Sequence, residues 1–131
     1  MPRAKGPFEV KLTPQPPTEA DEATVGRLAL LKTFTGALDA SSKGTMLAVG
    51  GSRKDSAGYV ALERVTGTLD GKRGSFALQH SGTMTRGTPG LVITVVPDSG
   101  TDELVGISGR LDIEITPDGK HFYDLEYELA P

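Results

Sequence analysis

Apolar and polar side chains alternate at every second position through one segment after another. A period of two suits half-buried strands and excludes the apolar stripe of a helix. Phe8, Val10 and Leu12 alternate with Glu9 and Lys11, and His121, Tyr123, Leu125, Tyr127 and Leu129 alternate with Phe122, Asp124, Glu126 and Glu128. Between them the pattern predicts strands over Thr24 to Phe34, over Ala37 to Asp39 with Thr45 to Val49, in a hairpin from Tyr59 to Met84, over Leu91 to Val96, and over Leu104 to Ile115. Ser41-Ser42-Lys43-Gly44 reads as a turn or bulge interrupting the third segment. From Leu104 to Ile115, Val105, Ile107, Leu111 and Ile113 fall on one face. Leu91 to Val96 is apolar on both faces, as in a strand covered by core on one side and by a neighbour or a second subunit on the other.

Turn chemistry separates these segments. Thr13 to Thr18 (TPQPPT) stops the first strand, and Pro97 to Thr101 and Pro117-Asp118-Gly119 end later ones. No segment is left over for a helix. The expected fold is all-β, a single closed antiparallel barrel of about eight strands, because closure removes exposed edges and encloses a core. A two-sheet sandwich is the competing architecture. At 131 residues with 37% hydrophobic side chains, the chain fits one domain over residues 1–131, with 1–6 and 13–22 expected to be flexible.

One dipeptide sets a register. Asp70-Gly71 lies between two alternating runs and supplies the positive φ angles of a type I′ turn. Leu69 then opposes Lys72, Val65 opposes Phe76, Glu63 opposes Leu78 and Ala61 opposes His80. Tyr59, Ala61, Glu63, Val65, Phe76, Leu78 and His80 share the face assigned inward. The opposite face carries Val60, Leu62, Arg64, Thr66, Ser75, Ala77, Gln79 and Ser81, is more polar near the turn and has fewer large apolar groups.

The absence of cysteine excludes a disulfide scaffold, a thiolate metal site and a Cys nucleophile, and suits a reducing cytoplasm. A net charge of -3 gives no bulk attraction to nucleic acid or anionic lipid, and basic residues are not interleaved with aromatics on any strand face. No apolar run approaches a membrane span. The chain has no dinucleotide-binding glycine fingerprint, phosphate-binding loop or serine-hydrolase elbow. A soluble, cytoplasmic protein that takes up neither nucleic acid nor membrane is expected.

Glu63 and His80 are the candidate catalytic pair. The register places them diagonally on one face, where burial and mutual attraction would tune a carboxyl and an imidazole for proton transfer. The plain alternative is a hydrogen-bonded core pair that specifies register. Tyr59, Tyr123 and Tyr127 offer phenolic groups to a ligand, with ordinary packing as their plain reading, and Phe76 and Leu78 offer it apolar wall. Lys32 shares a strand face with Leu28, Leu30 and Phe34, as an inward cation for an anionic ligand or as a snorkelling edge residue. His121, at a strand entrance, reads as a surface or capping group. With two histidines and no short-range ligand pairing, a His80, His121 and Glu63 metal triad is not expected, and no cofactor is implied.

Lys32-Thr33-Phe34-Thr35-Gly36, the block Tyr59 to Leu69 (YVALERVTGTL), Gly74 to His80 (GSFALQH), Val96 to Thr101 with Leu104, and Gly119-Lys120-His121 occur in order along the chain. Over roughly residues 6 to 129 these motifs resemble a small bacterial domain-of-unknown-function family. The resemblance implies a calycin-type barrel similar to that of allene oxide cyclase. It implies no activity, and no catalytic residue of the cyclase carries over.

Three functions fit these residues. The first is a barrel that binds a small apolar or amphiphilic organic molecule in its lumen. The second makes the same lumen the site of a cofactor-independent isomerase, cyclase or lyase in which Glu63 or His80 moves a proton. The third is a filled, non-catalytic module that forms a homo-oligomer through the strand at 91–96.

Overall fold

Strands follow one another around a closed barrel in chain order: β1 (Arg3–Pro14), β2 (Gly26–Phe34), β3 (Leu38–Gly50), β4 (Ala57–Leu69), β5 (Lys72–Thr85), β6 (Thr88–Val95), β7 (Ser108–Ile115) and β8 (His121–Glu128). This computed structural model of the chain describes residues 2–16 and 25–129. Every neighbouring pair is antiparallel, and β8 returns to pair with β1 through Ala4 opposite Leu125, so the sheet has no edge strand. The expected eight-stranded closed antiparallel barrel is therefore what forms, and the sandwich is not.

The central hairpin takes the register set by its turn. Asp70 and Gly71 have φ of 49° and 83°, and Leu69 faces Lys72, Val65 faces Phe76, Glu63 faces Leu78 and Ala61 faces His80. Ala61, Glu63, Val65, Phe76, Leu78 and His80 are buried, whereas Val60 and Leu62 on the other face are 53% and 58% exposed. The inward assignment of this face holds.

Four local expectations need correction. Arg3 to Gly6 are not a loose lead: they form the start of β1 and pair with Tyr123 to Glu126 of β8. Thr13 and Pro14 still belong to β1 and lie opposite Ala29 and Leu28; the rest of the expected entry loop beyond Pro16, 17–22, lies outside the described residues. The Ser41 to Gly44 interruption is absent, and β3 runs unbroken from Leu38 to Gly50. Its turn-forming residues are small because the barrel wall is tight there. Gly44 lies opposite Glu63, and a Cβ on it would stand 2.1 Å from the Leu62 carbonyl oxygen and 2.7 Å from the Glu63 Cα. Finally, Leu104 to Ile115 is not one strand. A 3₁₀ turn (Asp102–Leu104) precedes β7, turning Leu104 and Ile107 into the core and leaving Val105 63% exposed.

The two ends of the barrel differ. At one end Phe34, Leu38, Val65, Leu69, Phe76, Leu78, Leu111 and Leu125 close into a continuous core, and Leu104 and Ile107 of the 3₁₀ segment plug it. Burying each such side chain contributes roughly 1.5–3 kcal/mol. The plug is tied to β5 by Thr101 N donating to the Ser75 carbonyl at 2.9 Å and Ser75 N donating to Thr101 Oγ1 at 3.0 Å. At the other end the inward side chains do not meet. The apolar run at 91–96 straddles this division: Ile93 and Val95 are core, Leu91 faces the open end, and Val92 is 62% exposed on the outer surface.

Gly44→Ala is expected to cost about 1–3 kcal/mol by overpacking, whereas Lys43→Ala on the outer face stays within about 0.5 kcal/mol. Urea unfolding followed by far-ultraviolet circular dichroism measures both.

Candidate functional site

The open end encloses a cavity of about 540 Å³. In a barrel whose strands alternate in direction, one end collects the last residues of odd-numbered strands and the first of even-numbered ones. Val10 and Leu12, Leu30, Met46, Tyr59, Leu91, Ile113 and His121 supply wall accordingly. Most of the lining is apolar. The polar groups gather at the bottom, where Lys32 and His80 reach the cavity from β2 and β5.

Beneath them sits Glu63, with a side chain that is 0% exposed. Lys32 Nζ donates to its Oε2 at 2.9 Å, His80 Nε2 lies 2.5 Å from the same oxygen, and Ser42 Oγ donates to Oε1 at 2.8 Å. The strand registers bring these four together: Lys32 pairs with Ser42, Gly44 with Glu63, and Ala61 with His80. Burial on its own would push the Glu63 carboxyl up. The hydrogen bond from His80 and the Lys32 charge outweigh that and hold it below the ordinary carboxylate range.

An ionised carboxylate only accepts, so His80 Nε2 carries the proton in this contact. The other ring nitrogen, Nδ1, lies 3.4 Å from the Tyr59 hydroxyl. The Tyr59 phenol is raised above its usual value, first by burial and then by the Glu63 charge, so it remains a donor. Tyr59 lies over Gly82, its partner in register; a Cβ there would stand 2.2 Å from the Tyr59 ring. Lys32 Nζ also lies 5.3 Å and 5.9 Å from the ring centres of Phe8 and Phe34, which lend it cation–π contact.

The candidate residues thus divide. Glu63, His80, Lys32 and Tyr59 form one connected cluster, of which Lys32, Tyr59 and His80 line the cavity and Glu63 does not. Phe76, Leu78, Tyr123 and Tyr127 lie instead among the packed core at the closed end. Tyr123 accepts from Leu38 N at 2.9 Å and donates to the Thr35 carbonyl at 2.6 Å, tying down the link between β2 and β3. Tyr127 donates to the Asp70 carboxylate beside the hairpin turn, and burial together with that bond pushes its phenol up to about 12. Their hydroxyls serve the chain's own turns. Lys32 is an inward cation with 5% exposure, not a snorkelling edge residue.

Ser42 and His121 were not legible as site residues. Ser42 sat in the apparent interruption of β3. His121, expected at the surface, is half-buried on the cavity wall with its ring 5.3 Å from that of Phe8. Its alternation with Tyr123 and Leu125 was the available signal. Among the described residues no group of three His, Asp or Glu side chains could hold a metal.

Residues 4–127 match the model of a family described as protein of unknown function (DUF3224). The chain is also similar to a solved structure, a DUF3224-family protein of unknown function from Shewanella oneidensis MR-1, at 47% sequence identity and a TM-score of 0.92. The match covers 100% of this chain and 98% of that one. No curated protein matches the chain. No helix among the described residues is long and apolar enough to cross a membrane.

Removing one charge of the buried pair strands the other. Glu63→Gln is expected to cost about 3–5 kcal/mol in urea unfolding, and Lys32→Met added to it restores most of that loss. Because the folded Glu63 carboxyl titrates below its ordinary value of 4.5, its contribution to stability is complete above that pH. It is lost as pH falls through the lower folded value, and the double variant does not show this component.

Proposed function

We propose, for a chain that belongs to the DUF3224 family of proteins of unknown function, that the barrel binds a small organic molecule with an apolar body and one uncharged polar head. Kinship with the allene oxide cyclase barrel, implied by the sequence resemblance, belongs to the same proposal. A cavity of about 540 Å³ lies within the range of pockets that take small ligands. The observation that carries the reading is the contrast between its walls and its floor: aliphatic and aromatic side chains enclose the space, while Lys32 and His80 reach its bottom and the Tyr59 hydroxyl meets His80 from the wall. Apolar surface supplies affinity and the few polar groups fix orientation.

The character of the head follows from the charges below it. Lys32 and Glu63 cancel, so their ion pair adds no net charge to the floor. A carbonyl or hydroxyl can exchange hydrogen bonds there without importing an unpaired charge into a poorly hydrated space, which would be costly. A carboxylate or an ammonium would have to bring its own counter-charge.

Thermal unfolding in the presence of octan-2-one, octan-1-ol, octanoate and octylammonium tests this. The two neutral compounds are expected to raise Tm by several degrees and the ions to raise it little, since a ligand at about 100 times its Kd stabilises the native state by about 2.7 kcal/mol. Ala48→Trp, which fills the cavity from β3, abolishes the shift. No shift with any of the four, or an equal shift in the filled variant, would falsify the reading.

A further inference from the structure

We infer that the cavity floor moves a proton at carbon: His80 Nδ1 removes a proton from the carbon beside a carbonyl of the bound ligand, and Glu63 is its positioning residue. This rests on the binding reading above and adds a substrate class to it, enolisable ketones and aldehydes with an apolar body.

The two nitrogens of His80 face different surroundings. Nε2 is held by the Glu63 carboxylate at 2.5 Å, which fixes the ring and leaves the lone pair of the neutral imidazole on Nδ1. Nδ1 faces the Tyr59 hydroxyl at 3.4 Å, long enough for a ligand to displace the contact, on a residue that lines the cavity. A buried carboxylate behind an imidazole also stabilises the imidazolium that forms when Nδ1 accepts a proton. Glu63 itself is screened from the cavity, so it acts through His80.

The same floor holds donors for the charge that develops on oxygen. The Lys32 ammonium has three N–H groups, and among the described residues Glu63 Oε2 accepts one of them. Its remaining surroundings include the faces of Phe8 and Phe34, and it lines the cavity. Tyr59 keeps its phenolic proton. Lys32 and Tyr59 are therefore the groups that would face an enolate oxygen in a space where such contacts are strong. The other titratable residue on the cavity wall is His121, whose ring lies 5.3 Å from that of Phe8 at a tilt of 54°.

The step balances without a cofactor. The C–H bond breaks, its electron pair becomes the C=C bond of the enolate, and the carbonyl π pair moves onto oxygen. The proton goes to Nδ1 and makes an imidazolium between Glu63 and the enolate. When Nδ1 trades that proton for one from solvent and delivers the new one to the same carbon, the net result is exchange. Returning the proton to the far carbon of a conjugated enolate shifts a double bond.

The test uses 4-phenylbutan-2-one in deuterium oxide, following loss of its α-proton signals by NMR, with thermal unfolding as the parallel measure of binding. The wild-type protein is expected to exchange these protons saturably and faster than buffer containing free imidazole. His80→Gln keeps a donor toward Glu63 but has no Nδ1, so it loses about 100-fold or more in kcat, the usual scale of a general base, with the ketone-induced Tm shift read alongside to separate that loss from any change in binding. His80→Asn provides a second variant, and circular dichroism confirms that each is folded. Glu63→Asp draws the carboxylate back from Nε2 and lowers kcat with KM changed by less than about twofold, the split expected when a group acts only in the transition state. Exchange no faster than buffer in protein that binds the ketone overturns the inference and leaves the binding reading standing. So does equal exchange in His80→Gln. A wild-type protein that does not bind the ketone overturns both.

Discussion

An ammonium and a carboxylate facing each other inside an apolar barrel set the terms for the structure around them. Taking each ion out of water costs several kcal/mol, and mutual attraction repays this only when the geometry is close and the remaining lone pairs are used. Here both conditions hold. Lys32 and Glu63 meet at 2.9 Å, Oε2 also receives His80, and Oε1 receives Ser42. These contacts explain an otherwise odd inward face on β3. A larger residue at Ser42 or Gly44 would take the space that Glu63 and its partners occupy. The pair also restricts register, because a slip of one residue in β2 or β4 would send a charge to the outer face and strand its partner.

Around this cluster the barrel is divided into a part that holds it together and a part that is free to act. The closed end is packed with aromatic and aliphatic side chains, among them Phe34 and Tyr123 at 5.5 Å edge-to-face. Its tyrosine hydroxyls are spent on the turns nearby. At the open end, wall residues such as Leu12 and Leu91 remain 43% and 41% exposed although they point inward. Such exposure forgoes burial energy that filling the lumen would have gained. A chain selected for stability alone would close that space; the cost is consistent with a lumen kept open for something that enters it.

Much of this was legible in the sequence, and the reason differs from element to element. The β4–β5 hairpin could be registered residue by residue because Asp70-Gly71 fixes the turn and a period of two does the rest. That register alone brought Glu63 and His80 together. The Lys32 and Ser42 contacts required the pairings of β2 with β3 and of β3 with β4, which no short turn motif announced. β3 was misread because small residues serve two purposes: Ser and Gly make turns, and they also make room opposite a bulky inward neighbour. The tyrosines were misplaced for a related reason. Alternation reports which face a side chain is on but not its height along the barrel axis, and height separates a ligand wall from a packed core. The same limit hid His121, whose inward parity was visible while its position near the open end was not.

Height along the axis also explains why the polar cluster stands where it does. Lys32, Glu63 and His80 lie at the boundary between the packed end and the hollow end, with Phe34 below Lys32 on β2 and Leu30 above it. A site deeper in the core would be rigid but unreachable, and one nearer the rim would be reachable but bathed in water, where its electrostatics would be weak. At the boundary, the carboxylate belongs to the solid side and the nitrogen of His80 that it does not hold belongs to the open side. The chemistry inferred for the floor depends on this division. Fixed orientation comes from below and access comes from above, while Lys32, Glu63 and His80 are themselves buried, so that little solvent competes for the hydrogen bonds among them.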